Sequence, residues 1–155
     1  MSEVEGVIPS EKAQFEMLCL ANYVEVQNGL LYMAGGGWTD HHRSVLAPNG
    51  QKTTSRISIA ILVKIPWGET NRKQKFLVAI TDLDGGVQLL KVEGELNTGR
   101  PPMLTPGSAQ YAALAVNMDI IFPQAGTYLL SGVLNEDAAS KRTWEFRVHD
   151  LNAAR

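Results

Sequence analysis

Residues 127–134 (TYLLSGVL) and 143–148 (TWEFRV) decide the fold of this chain. In the second segment, the apolar side chains of Trp144, Phe146 and Val148 alternate with polar ones. Successive side chains of a strand point to opposite faces, so this alternation predicts a strand with one buried and one solvated face. A Pro-Gln-Ala-Gly turn precedes the first segment, and a polar loop joins the two. The two segments therefore predict the closing hairpin of an antiparallel sheet.

Six further segments, bounded by turn residues, have the composition of strands. These strands are predicted at 15–26, 30–34, 56–65, 74–82, 87–96 and 113–122. Asn28-Gly29, between the first two, is a strong hairpin signal because both central residues of a type I′ turn need positive φ. No segment sustains the 3.6-residue period of a helix. The sequence thus predicts an all-β fold, a single antiparallel immunoglobulin-like (Ig-like) β-sandwich of about eight strands.

The chain divides simply into one domain with short flanking segments. Residues 14–149 form the predicted sandwich, with a flexible arm at 1–13 and a tail at 150–155. Two polar stretches, 39–55 and 97–112, are predicted as long loops. Loops longer than about 12–15 residues are usually functional or disordered, so these two are candidate recognition elements.

Composition and charge limit the kinds of partner and the cellular compartment that are expected for this chain. The formal net charge is −2, and the 14 Lys and Arg residues are scattered, so neither a nucleic acid nor a membrane is predicted as a partner. The longest apolar runs are about half of the ~20 residues that a membrane-spanning helix needs. Cys19 is the single cysteine, which excludes an internal disulfide. The N-terminus is acidic and lacks the basic region of a secretory signal, so a cytoplasmic location is predicted.

Two stretches carry a resemblance to a known family. The first is residues 23–38 (YVEVQNGLLYMAGGGW), an apolar strand, a short turn and a second strand that ends in a glycine run. The second is residues 121–128 (IFPQAGTY) with Arg147-Val148. Together they resemble an uncharacterised bacterial family of small Ig-like β-sandwich proteins. The resemblance implies the sandwich fold and brings no catalytic residue with it.

Asp40-His41-His42 is the one carboxylate–histidine cluster in the sequence, and His149 lies near the chain end. Histidine and carboxylate side chains bind zinc and other divalent metals. Neighbouring side chains of an extended segment point apart, which favours a solvated polar loop over a shared ion. These four residues are therefore kept as weak metal candidates, and no catalytic residue, cofactor or assigned metal site is predicted.

Aromatic residues at strand ends and in loops are the candidates for interaction. Trp38, Trp67 and Tyr111 are the residues selected, with Tyr32 as a further example. Exposed aromatic rings anchor many protein interfaces and sugar sites. The same rings can instead cap the open ends of a sandwich.

Three functions remain open, and the sequence favours the first. The first is a non-enzymatic structural or protein-interaction module that self-associates or joins a larger bacterial or phage assembly, because sandwiches present edges and loops for assembly. The second is a metal-binding protein or enzyme that uses Asp40, His41 and His42. The third is a carbohydrate-binding module that uses the loop aromatics.

Overall fold

A computed structural model describes residues 11–44, 53–84 and 86–151 of the chain. Within these residues lie ten β-strands and a short 3-10 turn at Trp67–Glu69. The strands are β1 (Gln14–Ala21), β2 (Tyr23–Gln27), β3 (Leu30–Ala34), β4 (Asp40–Arg43), β5 (Ser55–Ile65), β6 (Lys73–Asp82), β7 (Gln88–Asn97), β8 (Gln110–Ile120), β9 (Gly126–Leu134) and β10 (Asp137–Asp150).

The strands form three sheets. One sheet has the order β1-β5-β8, a second has the order β4-β10-β9-β6-β7, and β2 and β3 form a separate hairpin. In the described part of the chain every strand pair is antiparallel except β4 with β10, which is parallel. The predicted all-β class is confirmed. The predicted number of strands and the wholly antiparallel arrangement are wrong.

The predicted loop at 39–55 contains a strand, because Asp40–Arg43 forms β4. The backbone N–H of Arg147 donates to the carbonyl of Thr39 at 2.8 Å, so β10 supplies the partners that define β4. The segment is short, polar and without apolar alternation, and its extended conformation follows from pairing rather than from its own pattern. Residues 45–52 of the predicted loop lie outside the described residues.

The predicted strand 15–26 is two strands, because the chain turns at Asn22. The backbone N–H of Asn22 donates to the carbonyl of Ala34 at 3.0 Å, which brings the end of β3 beside the start of β2. Gly35 and Gly37 have φ values of 61° and 86°, in the left-handed region that favours glycine. These two conformations account for glycine at both positions after β3 and agree with the bend that the sequence predicts.

The predicted closing hairpin is confirmed and is longer than expected. Asn135 and Glu136 connect β9 to β10, with φ values of 53° and 56°. Positive φ at both residues is the mark of a type I′ turn, although neither residue is the usual glycine. Most of the predicted polar loop is therefore strand, since β10 begins at Asp137. Phe146 and Val148 are buried, as their alternation predicts.

The inward faces of the two larger sheets share one core. The β-branched residues that form the predicted inner face of β5 are all fully buried, namely Ile57, Ile59, Ile61, Val63 and Ile65. Facing them from the second sheet are Val78, Ile80, Tyr128, Leu130 and Phe146. Burial of each large apolar side chain stabilises the fold by about 1.5–3 kcal/mol, so this core provides most of the driving force for folding.

Tyr128 is the largest fully buried side chain, and its hydroxyl is hydrogen-bonded. The phenol O–H donates to the carbonyl of Gln124 at 2.5 Å. Burial raises the pKa of the Tyr128 phenol, which keeps this donor protonated. The contact ties the turn before β9 to the core.

The β2–β3 hairpin packs on the outer face of the β1-β5-β8 sheet. Small side chains line that face beneath the hairpin, at Ala21, Ala60 and Ala115. Val24 of the hairpin is fully buried against them, and its carbonyl accepts a hydrogen bond from Nδ2 of Asn117 at 2.9 Å. The molecule thus has a third layer over part of one sheet.

Candidate functional site

The four metal candidates lie where β4 pairs with β10. Asp40, His41 and His42 are successive residues of β4, and His149 of β10 is directly opposite His42. Strand alternation places Asp40 and His42 on the solvated face and His41 on the opposite face. The structure therefore brings three of the four candidates together and separates His41 from them.

The three residues on the solvated face contact one another directly. Oδ1 of Asp40 lies 2.8 Å from Nε2 of His149, and the rings of His42 and His149 are stacked with centroids 4.9 Å apart. The hydrogen bond from His149 lowers the pKa of the Asp40 carboxyl group. Both side chains of the pair are more than 40% exposed (46% and 42%), so water screens their attraction.

No metal-binding group of three or more His, Cys, Asp or Glu side chains is found in residues 11–44, 53–84 and 86–151. The contact between Asp40 and His149 is an ion pair or a hydrogen bond, depending on the protonation of the imidazole. A base and a carboxylate in contact can move a proton, yet both side chains of this pair are exposed to water. The geometry of these residues alone therefore specifies no reaction.

His41 joins β4 to the start of β5. Its Nε2 lies 2.8 Å from the hydroxyl oxygen of Ser55, and its ring centroid is 5.7 Å from that of Trp38. Burial is the main cause of the lowered pKa of the His41 imidazole. The charge interaction with the nearby His42 lowers this pKa further. The neutral imidazole thus has a structural role between the sheets.

A half-buried ion pair fixes the end of β4. Nε of Arg43 lies 2.7 Å from Oδ1 of Asp150, and the two side chains are 13% and 25% exposed. A second nitrogen of the same guanidinium donates to the carbonyl of Phe122. Asp150, the first residue of the predicted tail, is the last residue of β10. The pair therefore joins three segments of the chain.

Two of the predicted interaction residues have partners within the molecule. Trp38 packs edge-on against Phe146 with ring centroids 5.7 Å apart. The guanidinium of Arg100 lies 3.9 Å above the ring of Trp67, in the geometry of a cation–π contact. Among the described residues, no ring–ring contact joins two of Trp38, Trp67 and Tyr111.

Tyr111 differs from the two tryptophans because it is 54% exposed and belongs to a strand. The predicted loop 97–112 ends earlier than expected, since β8 begins at Gln110. β8 forms the outer strand of its sheet, and within the described residues its only strand partner is β5. From Gln110 to Met118 the strand carries no charged side chain. One long side of β8 is therefore an open, uncharged edge.

The other three edges of the two larger sheets are protected. β4 has four residues with charged or imidazole side chains, and β7 carries Lys91, Glu93 and Glu95. At β1, a side-chain N–H of Arg142 bonds to the carbonyl of Phe15, and a backbone N–H bonds to the carbonyl of Leu20. Charges, short length and covering groups are the usual means of preventing edge-to-edge association.

The solvated face of the β2–β3 hairpin carries three exposed apolar side chains beside Glu25 and Gln27. Tyr23 and Tyr32 are each 49% exposed, and Leu30 is 61% exposed. Alternation places all three on the face away from the sheet, while Val24 points inward. Tyrosine is enriched among the residues that dominate binding energy at protein interfaces.

A shallow groove of about 520 Å³ lies on the other large sheet, between β6 and β7. Its charged lining consists of Lys75, Lys91, Glu93, Glu95 and Glu136. The mixed signs give the groove no preference for an anion or a cation. Cys19 is 8% exposed, and burial raises the pKa of its thiol, which disfavours a nucleophilic role.

Sequence reasoning missed the β8 edge as a functional feature. The signal was present, since nine consecutive uncharged residues lie between turn-rich segments and include alanine at positions 112, 113 and 115. The sequence pattern does not give the order of the strands in a sheet. That order decides whether a strand is central or at an edge. The exposed hairpin residues Tyr23 and Leu30 were missed for the same reason.

Comparison with protein families matches residues 16–149 to a family of unknown function, DUF6941. The matched range begins within β1 and ends one residue before the end of β10. No curated protein matches the chain. In the described part of the chain, no helix has the length and apolar character needed to cross a bilayer. The chain belongs to the DUF6941 family, whose function is unknown.

Proposed function

We propose that this protein is a non-enzymatic protein-interaction module that binds a partner strand along the open edge of β8. The observation that carries the proposal is the contrast between this edge, with eleven residues and one charge, and the protected edges of β1, β4 and β7. An added strand satisfies the unpaired N–H and C=O groups of an edge, which gives affinity without a pocket.

The side chains around the edge support the same function. Tyr111, near the start of β8, is 54% exposed, and the adjacent hairpin exposes Tyr23, Leu30 and Tyr32. Exposed tyrosine side chains are often part of protein interfaces. Rigid aromatic side chains also lose little conformational entropy when they are buried at an interface.

The Ig-like nature of the fold and its place in a bacterial or phage assembly are parts of this proposal. Two sheets that share a core support an Ig-like sandwich, as does the bond from the Tyr128 hydroxyl to the carbonyl of Gln124, four residues earlier. A buried tyrosine that bonds back to the preceding corner is a feature of Ig-like domains. Such domains often serve as building blocks, which agrees with an assembly role.

Site-specific photo-crosslinking in the native host tests the proposal. A photo-reactive phenylalanine analogue replaces Tyr111 in one chain and Val87, which precedes β7, in another. The two side chains have the same exposure (54% and 55%), so they differ mainly in which sheet edge they report on. We expect covalent adducts from position 111 and none from position 87.

A second change shows whether the adduct depends on the strand edge. Ala113→Lys places a charge in the uncharged part of β8 and should abolish the adducts from position 111. Equal adducts from both positions, or adducts that survive Ala113→Lys, would contradict binding at this edge.

Metal binding is a second candidate function, favoured by the meeting of Asp40, His42 and His149 on one face. Rotation of the exposed rings is needed to direct two imidazole nitrogens at one ion. Calorimetric titration of the purified chain with Zn²⁺ tests this candidate. Loss of the heat of binding in both His42→Gln and His149→Gln supports it, and a wild-type chain that releases no heat of binding excludes it.

A further inference from the structure

We infer that the strand bound at the β8 edge is β8 of a second copy of this chain, in antiparallel orientation. Two three-stranded sheets would then become one continuous six-stranded sheet across a two-fold axis. The inference rests on the proposed function of the β8 edge and adds the identity of the partner.

Full-length pairing of β8 with itself is self-complementary. In an antiparallel pair of identical strands that overlap from Gln110 to Ile120, Ala115 lies opposite itself. The pairing sets Leu114 opposite the second copy's Val116 and Ala113 opposite the second copy's Asn117. No bulky or charged side chain meets its own copy, because the residue at the axis is alanine.

The charged residues near the ends of β8 are compatible with the same register. Asp119 is the one charged residue of β8 and already lies 3.7 Å from Arg56 on the neighbouring strand. In the inferred dimer, Asp119 faces the second copy's Tyr111. Within each copy, Tyr111 lies opposite Lys64 of β5. Each Asp119 would then lie in a row between two basic residues, and the two aspartates would lie at opposite ends of the interface.

The surface around β8 would add apolar contacts to the pairing of the two strands. The eleven-residue edge is about 37 Å long at ~3.4 Å per residue. Leu114, Val116 and Met118 pack against the core but remain half-buried, and a second sheet would cover their open sides. Val26 lies on the same hairpin face as the buried Val24 yet is 36% exposed.

Light scattering and sedimentation of the purified full chain test the dimer. The expected mass is twice the 16.9 kDa of one chain, falling to the single-chain value on dilution. Ala113→Lys should weaken the dimer at least tenfold, which is about 1.4 kcal/mol. Gln88→Lys adds the same charge to an exposed position at the β7 edge and should leave the dimer unchanged.

Cysteine trapping tests the register. In the inferred pairing the two Ala115 residues have Cα atoms about 4.5–5.5 Å apart, within the range of a disulfide. The two Ala113 residues are about 14 Å apart along the strands, which is too far. Mild oxidation should therefore crosslink Ala115→Cys and should not crosslink Ala113→Cys or the wild type, whose Cys19 is buried.

The outcomes separate this inference from the proposed function. In one outcome, the purified chain stays a monomer while position 111 forms adducts to another protein in cells, and Ala113→Lys abolishes those adducts. This result would show that the partner is not a second copy, while the β8 edge would remain the binding site. A dimer that survives Ala113→Lys, or a disulfide through position 113 instead of 115, also overturns it. A monomer without adducts from position 111 overturns both.

Discussion

The edges formed by β8 and β4 meet solvent in opposite ways. β4 is four residues long, and its side chains form ion pairs and hydrogen bonds at Asp40, His41 and Arg43. β8 is eleven residues long and has no charge over its first nine residues. One edge of the molecule is closed by polar side chains, whereas the other leaves its backbone groups and apolar side chains open.

This contrast indicates that the length and charge of an edge strand decide whether it can pair with another strand. An unprotected edge tends to aggregate, so natural sequences usually protect edges with charges, bulges or covering groups. Three edges of the two larger sheets follow that rule. The exception at β8 is the reason for assigning it a partner, and the following predictions change one edge at a time.

The largest expected effect comes from removing the protection of β7. Replacing Lys91, Glu93 and Glu95 together by threonine, which favours strands, would leave two open edges on one molecule. Because the β8 and β7 edges belong to different sheets, pairing at both would link copies without limit. We expect soluble species much larger than a dimer by light scattering.

The matched control is the same triple change combined with Ala113→Lys. Closing β8 should restrict association to β7, so only discrete species should remain. A triple variant with the mass of the wild type would show that charge does not protect β7.

The next largest effect is the loss of the ion pair at the end of β4. Arg43→Ala leaves Asp150 half-buried without its partner, and we expect the free energy of unfolding to fall by about 2–4 kcal/mol. Arg56→Ala removes the arginine of the exposed ion pair with Asp119. We expect it to lower the free energy of unfolding by only about 0–1 kcal/mol. Urea denaturation of both variants measures the difference, and equal losses would refute it.

A smaller effect is a pH dependence located at β4. The folded pKa of His41 is lowered, so the unfolded chain binds a proton more readily. Stability from this residue is present above the unfolded value of about 6.5 and is lost as pH falls below it. His41→Gln keeps a polar side chain near Ser55 and should flatten the decline in unfolding free energy between pH 7 and pH 5. An unchanged pH profile would contradict the role given to burial.

The smallest effect concerns Asp119 at the β8 edge. Asp119→Asn removes the charge that faces the second copy and should weaken the dimer by about 0.2–1 kcal/mol, with a lower sensitivity to salt. Sedimentation at two salt concentrations measures both quantities. A stronger dimer would indicate that Asp119 repels the partner rather than attracting it.

The sequence predicted the strands whose side chains alternate and failed where pairing decides the structure. The buried face of β5 could be predicted from Ile57, Ile59 and Ile61. β-Branched residues at every second position are typical of the buried face of a strand. β4 has no such pattern, and its conformation depends on β10, more than 90 residues away in sequence.

The same limit applies to the candidate site. The sequence shows that Asp40 and His42 are close together in the chain. The placement of the cluster's side chains on two faces follows only because β4 is a strand. The β8 edge was visible as an uncharged segment, yet its position at the border of a sheet depends on long-range pairing with β5. Local patterns therefore predict burial, while availability to a partner depends on topology.

Amide hydrogen exchange of residues 110–120, measured at low and high protein concentration, tests whether copies of the chain pair through β8. In an edge strand, alternate N–H groups lack a partner and exchange quickly. We expect these amides of β8 to become protected at high concentration, while those of β7 do not change. Equal exchange of β8 at both concentrations in the wild type and in Ala113→Lys would contradict association at this edge.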